Sequence, residues 1–393
     1  MELKSPSRTR ILKQGIKNVL KGVHSMIDPI FNMFKTKFSV MDGLQLLDKD
    51  ADRIDIYINL ENVFKVLLSP RVNNYLMTTI EDNNQFKIGL MSNIVNLAQH
   101  YRLYCSKYRK DSRVFLYWNY PKSEYKNSEY ICGYREYYNH KMFKNEGCDY
   151  IIRNLNSCLD FMKKLFNYIN QIYLIDGGVI DSSVVPYLVE EHIYQSREDK
   201  DVQKIIVSNA KYDFQYVSYG FTILETNKDD SCIICEDNVI DILKERMGIK
   251  NSMTIPPNLI PFTISLLGDR YRNIPKLSGV GLSSILKMIN KAIEELIITD
   301  QTKDVDMLSQ IIAEKYRSQF ISNYLCTYIP RQYDELKPLE ILSIENQIVD
   351  KFDDNALALI NERYFRSSPL MTIKTKTEQA IDQIHHSIWD KKH

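Results

Sequence analysis

The sequence predicts an α/β fold with a mostly parallel central sheet flanked by helices, and three segments near the middle of the chain predict it. An apolar strand at residues 172 to 175 is followed by a helical pattern at 184 to 193 and by a second apolar strand at 205 to 207. Strands that alternate with helices form βαβ units, whose strands are parallel. Asp176-Gly177-Gly178 follows the first strand at the carboxyl edge, where sites in such folds lie, although it could equally be only a turn.

Length and charge set the first limits on function. A chain of 393 residues can bury a sizeable core and is expected to contain two or three subdomains. The net charge is only +1, which argues against a protein that binds nucleic acid over its whole surface. Basic residues are concentrated locally, because residues 1 to 40 carry eight Lys or Arg against two acids and residues 101 to 144 carry ten against four.

The N-terminal extension, residues 1 to 50, has the pattern of a basic amphipathic helix. Its apolar stripe is Ile11, Leu12, Ile16, Val19, Leu20 and Val23, and its basic stripe is Arg10, Lys13, Lys17 and Lys21. Such a helix can bind an acidic protein partner, a membrane surface or DNA, or it can pack on the core of its own chain with a solvated basic face.

The core region that follows, residues 51 to 235, contains several further elements. Residues 54 to 64 are typical of a buried strand that runs into a helix, and residues 86 to 109 of a core helix. Cys232 and Cys235 lack a second ligand pair, so alternation along a strand explains their spacing better than a zinc site does.

Residues 120 to 145 interleave tyrosines with the cations Lys122, Lys126, Arg135 and Lys141. Aromatic faces beside cations suit stacked bases and phosphates. Tyr and Arg are also common in protein interfaces, so a protein partner or a plain surface helix would explain the segment as well.

A glycine-rich turn in residues 236 to 299 carries the most specific signal. Gly279-Val280-Gly281 lies between two expected short helices and allows backbone N–H groups to approach a phosphate at the start of the second helix. We expect DNA-backbone contacts from Lys276, Gly279, Gly281, Ser283, Ser284 and Lys287.

This region resembles the helix-three-turn-helix, a helix-hairpin-helix motif, of the flap endonuclease and 5′-3′ exonuclease family, which has a PIN-like core. Gly268, Asp269, Asn273, Ile274, Pro275, Gly279 and Gly281 match the pattern GDxxDNIPGVPGIG. Four upstream segments, at residues 54 to 64, 113 to 121, 179 to 188 and 205 to 216, are similar to segments of the family in the same order, so the resemblance spans residues 54 to 289. It implies a strand at 113 to 121 and a strand and turn at 205 to 216. It implies a helical arch over the active site at 120 to 145, while Ser283 replaces the lysine that usually binds phosphate in the family.

The resemblance also implies that the family's metal ligands are lost. The acid positions of the family are occupied here by Asn59, Trp118, Val179, Ser182, Ala210, Tyr212 and Arg272. Only Asp181 and Asp269 remain, and Arg272 could pair with either. Two magnesium ions require clustered carboxylates, so we expect no catalysis and no cofactor. Alternatively, Asp176, Asp213 and Glu61 could rebuild a shifted magnesium site.

The remaining observations concern location and source. No signal peptide or membrane-spanning run is visible, and the seven cysteines are scattered, which predicts synthesis in a reducing cytoplasm. Many Lys, Asn, Ile and Tyr residues imply an AT-rich genome, compatible with a virus or bacteriophage, and the location would then be the host cytoplasm or the virion. Residues 300 to 393 are expected to be mainly helical.

Three functional classes follow. The first is a catalytically inactive, sequence-independent DNA-binding protein for duplex, flap or junction DNA, as in viral DNA replication. The second is a structural or assembly protein that reuses the fold as a scaffold and binds protein partners through the N-terminal helix or the tyrosine-rich arch. The third is a divalent-metal-dependent 5′ nuclease with a rearranged acidic site.

Overall fold

The computed structural model describes twelve parts of the chain: residues 35–60, 83–118, 158–159, 162–163, 172–177, 182–190, 202–226, 231–249, 255–269, 274–299, 305–329 and 338–348. The N-terminal stripes, the tyrosine-rich segment at 120 to 145 and residues 349 to 393 of the region expected to be mainly helical lie outside these residues.

A six-stranded sheet forms the centre of the molecule. Its strands are β1 (Arg53–Asn59), β2 (Asp111–Trp118), β3 (Ile172–Asp176), β4 (Val202–Val207), β5 (Phe221–Glu225) and β6 (Cys232–Ile234). Their order across the sheet is β3-β2-β1-β4-β5-β6. The first five are parallel, and β6 pairs antiparallel with β5 at the edge. The expected α/β class with a mostly parallel sheet is confirmed.

Both faces of the sheet are buried, which explains why its strands are nearly continuous apolar runs. Tyr57, Phe115, Tyr173 and Ile206 lie on one face, in a core cluster with residues of the short helix α3 (Val185–Leu188). Ile54, Ile56 and Ile58 alternate with Tyr57 toward the other face and are also buried.

The long helix α2 (Asn83–Lys107) packs against β2. Its buried positions include Leu90, Ile94, Leu97 and Tyr101, a spacing that places them on one helical face. The core helix expected at residues 86 to 109 is therefore confirmed. The short helix α1 (Phe38–Leu44) contacts the end of α2, where the Phe38 ring stacks on His100 with ring centroids 4.8 Å apart.

A second core lies in the C-terminal half of the chain. Helix α4 (Val239–Met247) buries Val239 and Leu243 in the core of the sheet, whereas the second core is built from α5 (Ile260–Leu267), α6 (Leu282–Thr299), α7 (Val305–Ile311) and α8 (Glu314–Thr327). Phe262, Ile285, Leu308 and Phe320 meet in its interior. The last described helix, α9 (Pro338–Ile348), packs instead near β3, and Ile344 joins the core of the sheet.

Three details differ from the expectations or refine them. The helix expected at 184 to 193 begins with a 3₁₀ turn, Ser182–Val184, and continues through α3 into π-helical residues 189–190, where this described part of the chain ends. Cys232 lies in β6, where the strand interpretation placed it, and neither Cys232 nor Cys235 forms a disulfide. Cys326, in contrast, is disulfide-bonded.

None of the described helices is both long enough and apolar enough to cross a membrane.

Candidate nucleic-acid interface and the carboxyl edge of the sheet

The carboxyl ends of β1 to β4 bring several of the residues selected from the sequence to one edge. Asn59 ends β1, Trp118 ends β2, Asp176 ends β3, and Ser208 directly follows β4. Asn59 is in register with Tyr117, so alternation along β2 directs Trp118 to the opposite face of the sheet from Asn59. The sheet thus gathers these positions at one edge but divides them between its two faces.

An aromatic ring and an ion pair fill the β2–β3 part of this edge. Trp118 is in register with Asp176 and is only 2% exposed. Lys163 Nζ lies 3.6 Å from a carboxylate oxygen of Asp176 and 5.3 Å from the centre of the Trp118 ring. Gln347 of α9 accepts a hydrogen bond from the Asp176 N–H and donates one to its carbonyl oxygen. The carboxylate of Asp176 and both of its backbone polar groups therefore have partners within the protein.

Hydrogen bonds of a serine and an aspartate hold the segment after β4 in a turn. The Ser208 hydroxyl donates to Asp213 Oδ2 and accepts from the Ala210 N–H at 3.1 Å. The Asp213 N–H donates to the Ala210 carbonyl at 3.0 Å, and the Asp213 side chain is buried. These bonds begin a 3₁₀ turn, Lys211–Tyr219, called the 211–219 turn below. Tyr212 lies inside the core of the sheet.

The described donors at this edge do not fit a two-metal centre. Magnesium prefers carboxylate and water oxygens, whereas this edge presents an amide at Asn59, indole at Trp118, and a methyl group at Ala210. Within the described parts of the chain, no three His, Cys, Asp or Glu side chains form a group that could hold a metal ion. Asp213, one candidate for a shifted site, is engaged by Ser208. Asp181, Val179, Arg272 and Glu61 lie outside the described residues.

A hairpin between α5 and α6 forms the second candidate region. We call the described residues 268–269 and 274–281 the glycine hairpin. Asp269 and Ile274 exchange two backbone hydrogen bonds of 2.9 Å, and the Leu277 N–H donates to the Leu266 carbonyl at 3.1 Å. Asp269 is buried at the base of the hairpin. The hairpin connects the short helix α5 to α6, which is longer than expected at 18 residues.

Two glycines set the path of the hairpin. Gly279 has φ +72°, as a tight turn requires, whereas Gly281 does not have a positive φ and a Cβ there would meet open space. Gly279 therefore adopts the left-handed conformation that favours glycine, whereas Gly281 does not. Gly268 has the stricter requirement, since a Cβ there would lie 2.5 Å from the Lys276 backbone nitrogen.

The exposed surface of the hairpin continues onto the first two turns of α6. Lys276, Ser278, Gly279, Gly281, Ser283, Ser284 and Lys287 are all exposed. Lys287 follows Ser283 by four residues and Ser284 by three, so both serines lie beside it on one face of the helix. Ile285, Ile289 and Ala292 bury the opposite face. The first-turn N–H groups and the positive end of the helix dipole therefore lie on the same surface as two lysines.

Helix α8 holds the hairpin through two side chains that the sequence analysis did not select. Gln319 accepts a hydrogen bond from the Ser278 N–H at 3.1 Å and donates one to the Lys276 carbonyl at 3.0 Å. Asn323 donates 2.8 Å bonds to the carbonyls of Pro275 and Ser265. Polar residues four apart on a helix were the only available signal, and this spacing does not identify their partners.

The structure therefore brings together the hairpin residues Lys276, Gly279, Gly281, Ser283, Ser284 and Lys287, as expected. The positions of Lys122, Lys126, Arg135 and Lys141 lie outside the described residues, so their relation to this surface remains an expectation from the sequence.

Comparisons with known proteins find similarity in structure. No family model matches the chain, and no curated protein matches its sequence. The D15 protein of bacteriophage T5, crystallised with metal ions, is 12% identical with a TM-score of 0.45, over 76% of this chain and 100% of that chain. A pseudo-enzyme–product complex of the T5 flap endonuclease with DNA and metal ions is 13% identical with a TM-score of 0.42, over 80% of this chain and 100% of that chain. A mutant T5 5′-exonuclease is 10% identical with a TM-score of 0.42, over 76% of this chain and 99% of that chain.

Proposed function

We propose that this protein is a non-catalytic, flap-endonuclease-like protein that binds duplex, flap or junction DNA through its backbone, in the DNA replication of a virus or bacteriophage. The observation that carries the proposal is the exposed surface of the glycine hairpin and α6, where two lysines, two serine hydroxyls and a helix N-terminus face outward. These groups suit phosphate oxygens and carry no means of distinguishing base pairs.

Loss of catalysis is the second part of the proposal, and the composition of the carboxyl edge supports it. Asn59, Trp118 and Ala210 supply no carboxylate, and Asp213 and Asp176 are engaged by Ser208 and Lys163. A two-metal phosphodiesterase needs acids that are free to neutralise two divalent cations. DNA bound by this protein would therefore be held without being cut.

Binding to a fluorescent 5′-flap duplex over a range of salt concentrations tests the first part. The slope of log K against log salt should report several phosphate contacts, and Lys276→Ala and Lys287→Ala should each reduce its magnitude by about 1. Lys49→Ala is the matched control, because Lys49 is an exposed lysine before β1, at the amino end of the sheet. Equal effects of all three substitutions, or no salt-dependent binding, would contradict the proposal.

Incubation of the same substrate with the protein and Mg²⁺ or Mn²⁺ tests the second part. We expect the flap DNA to stay intact. Cleavage that disappears in Asp181→Asn or Asp269→Asn would instead establish a nuclease with a rearranged site.

A further inference from the structure

One face of α8 carries a stripe of polar side chains that runs between the two cores of the molecule. Gln319, Asn323 and Thr327 are spaced four residues apart and therefore lie along one side of the helix. The stripe begins at the solvent-exposed hairpin, and Thr327 at its other end is fully buried. A buried polar stripe is costly unless its members are hydrogen-bonded.

At its outer end, side chains of the stripe form hydrogen bonds with the backbone of the glycine hairpin. Gln319 spans the turn by bonding both the Ser278 N–H and the Lys276 carbonyl, and Asn323 bonds the Pro275 carbonyl. These three bonds fix the backbone on both sides of Leu277. They determine where the Lys276 side chain and the N–H groups near Gly279 are presented.

At its inner end the stripe reaches the carboxyl edge of the sheet. The hydroxyls of Thr327 and Ser265 share a hydrogen bond of 2.6 Å. Gln215, in the 211–219 turn, donates to the Thr327 carbonyl at 2.8 Å and to the Tyr212 carbonyl at 3.0 Å. Its carbonyl oxygen accepts from the Ile329 N–H at 3.2 Å.

We propose that the Gln319–Asn323–Thr327 stripe of α8 is a positioning element, which fixes the phosphate-binding hairpin relative to the 211–219 turn at the carboxyl edge. This inference rests on the proposed DNA-backbone binding of the hairpin. Asn323 is 4% exposed and Thr327 is fully buried, so these two side chains act through the backbone they hold and not by touching DNA.

Gln319→Met tests the outer end, because methionine keeps the length of the side chain but can neither accept from Ser278 nor donate to Lys276. In hydrogen exchange of the DNA-free protein, the amides of residues 277 to 281 should exchange about fivefold to tenfold faster. Gln310→Met is the matched control, since Gln310 is an exposed glutamine on α7. It should leave the hairpin amides unchanged.

The salt dependence of DNA binding separates positioning from direct contact. Gln319 is uncharged, so its replacement should reduce the slope of log K against log salt only if Lys276 of the hairpin is no longer positioned against a phosphate. We expect a slope smaller by about 1 in Gln319→Met. We also expect a reduced effect of Lys276→Ala in that background, which a double-mutant cycle measures.

The outcomes distinguish this inference from the proposed function. Faster hairpin exchange with a lower slope supports positioning. Unchanged hairpin exchange overturns it, as does weaker binding with an unchanged slope, because the latter indicates that Gln319 itself contacts DNA. If the wild-type protein binds no DNA, the proposed function fails, and exchange in Gln319→Met still decides whether this side chain holds the hairpin.

Discussion

Single residues set the shape of the glycine hairpin, and Gly268 has the strictest conformation. Its φ of 77° and ψ of 162° lie in a region that is essentially restricted to glycine. A Cβ would also lie 2.7 Å from the Ile274 carbonyl oxygen and 2.5 Å from the Lys276 nitrogen. Both contacts are with backbone, which cannot rotate away as a flexible side chain could.

Gly268→Ala should therefore destabilise the protein by about 2 to 4 kcal/mol, since backbone strain and a steric clash act together. Gly281→Ala should change the unfolding free energy by less than about 1 kcal/mol, because its Cβ would meet open space. Urea denaturation followed by circular dichroism measures both. Similar unfolding midpoints for the two variants would show that the close approach at Gly268 is not a constraint.

The same residues show what could be predicted from sequence. The motif identified Gly268 and Gly279 as hairpin residues, but only the folded backbone reveals that Gly268 abuts Lys276 and that Gly281 is unconstrained. Gln319 was missed for a related reason. A glutamine four residues from an asparagine marks one helical face, whereas its partner, Ser278, is 41 residues away in the chain.

At the scale of the elements, β1, β2, β4 and the segment after α3 meet in a buried charged cluster. Arg113 donates to both carboxylate oxygens of Asp55, while Tyr57 donates to Glu190. Lys204 Nζ lies 3.9 Å from Glu190. Burial and then the charge of Asp55 raise the pKa of Glu190 from 4.5 to about 7, although the Tyr57 hydrogen bond and Lys204 act in the opposite direction.

This raised pKa predicts a pH-dependent stability. Because the folded state binds the Glu190 proton more tightly than the unfolded state, the contribution is fully present below pH 4.5 and is lost as the pH rises toward about 7. The loss should be on the order of 1 to 3 kcal/mol. Glu190→Gln should flatten the stability profile over this range, measured by urea denaturation at several pH values.

Glu245→Gln is the control for that experiment, because Glu245 is exposed on α4. Its pH profile should follow that of the wild-type protein. A Glu190→Gln profile as steep as wild type would mean that other groups cause the pH dependence.

At the scale of the whole molecule, α8 connects the sheet to the helical C-terminal core. The apolar patterns predicted β1, β3, β4 and α2, because burial on the sheet imposes those patterns, whereas β5 was not predicted. They did not predict that α9 returns to β3, since that contact depends on Gln347 and the backbone of Asp176, 171 residues apart. The carboxyl edge was predicted in position, but the closing of the 211–219 turn by Ser208 and Asp213 was not.

Thr327→Val tests this connection, because valine keeps the shape of the side chain but removes the hydroxyl that bonds Ser265. We expect a loss of stability of about 1 to 2 kcal/mol. Hydrogen exchange should become faster in both the 211–219 turn and the glycine hairpin. Faster exchange in only one of them would show that α8 does not couple the two regions.

The burial of Tyr212 also limits which side chains the protein can accept at this position. Asn59 and Ala210 are only partly buried, so an acid could replace either with little strain, whereas Tyr212 is 1% exposed within the sheet core. A carboxylate there would be enclosed without water and would leave a void where the ring had been. An acidic residue at position 212 should therefore destabilise the fold far more than an acidic residue at position 59 or 210.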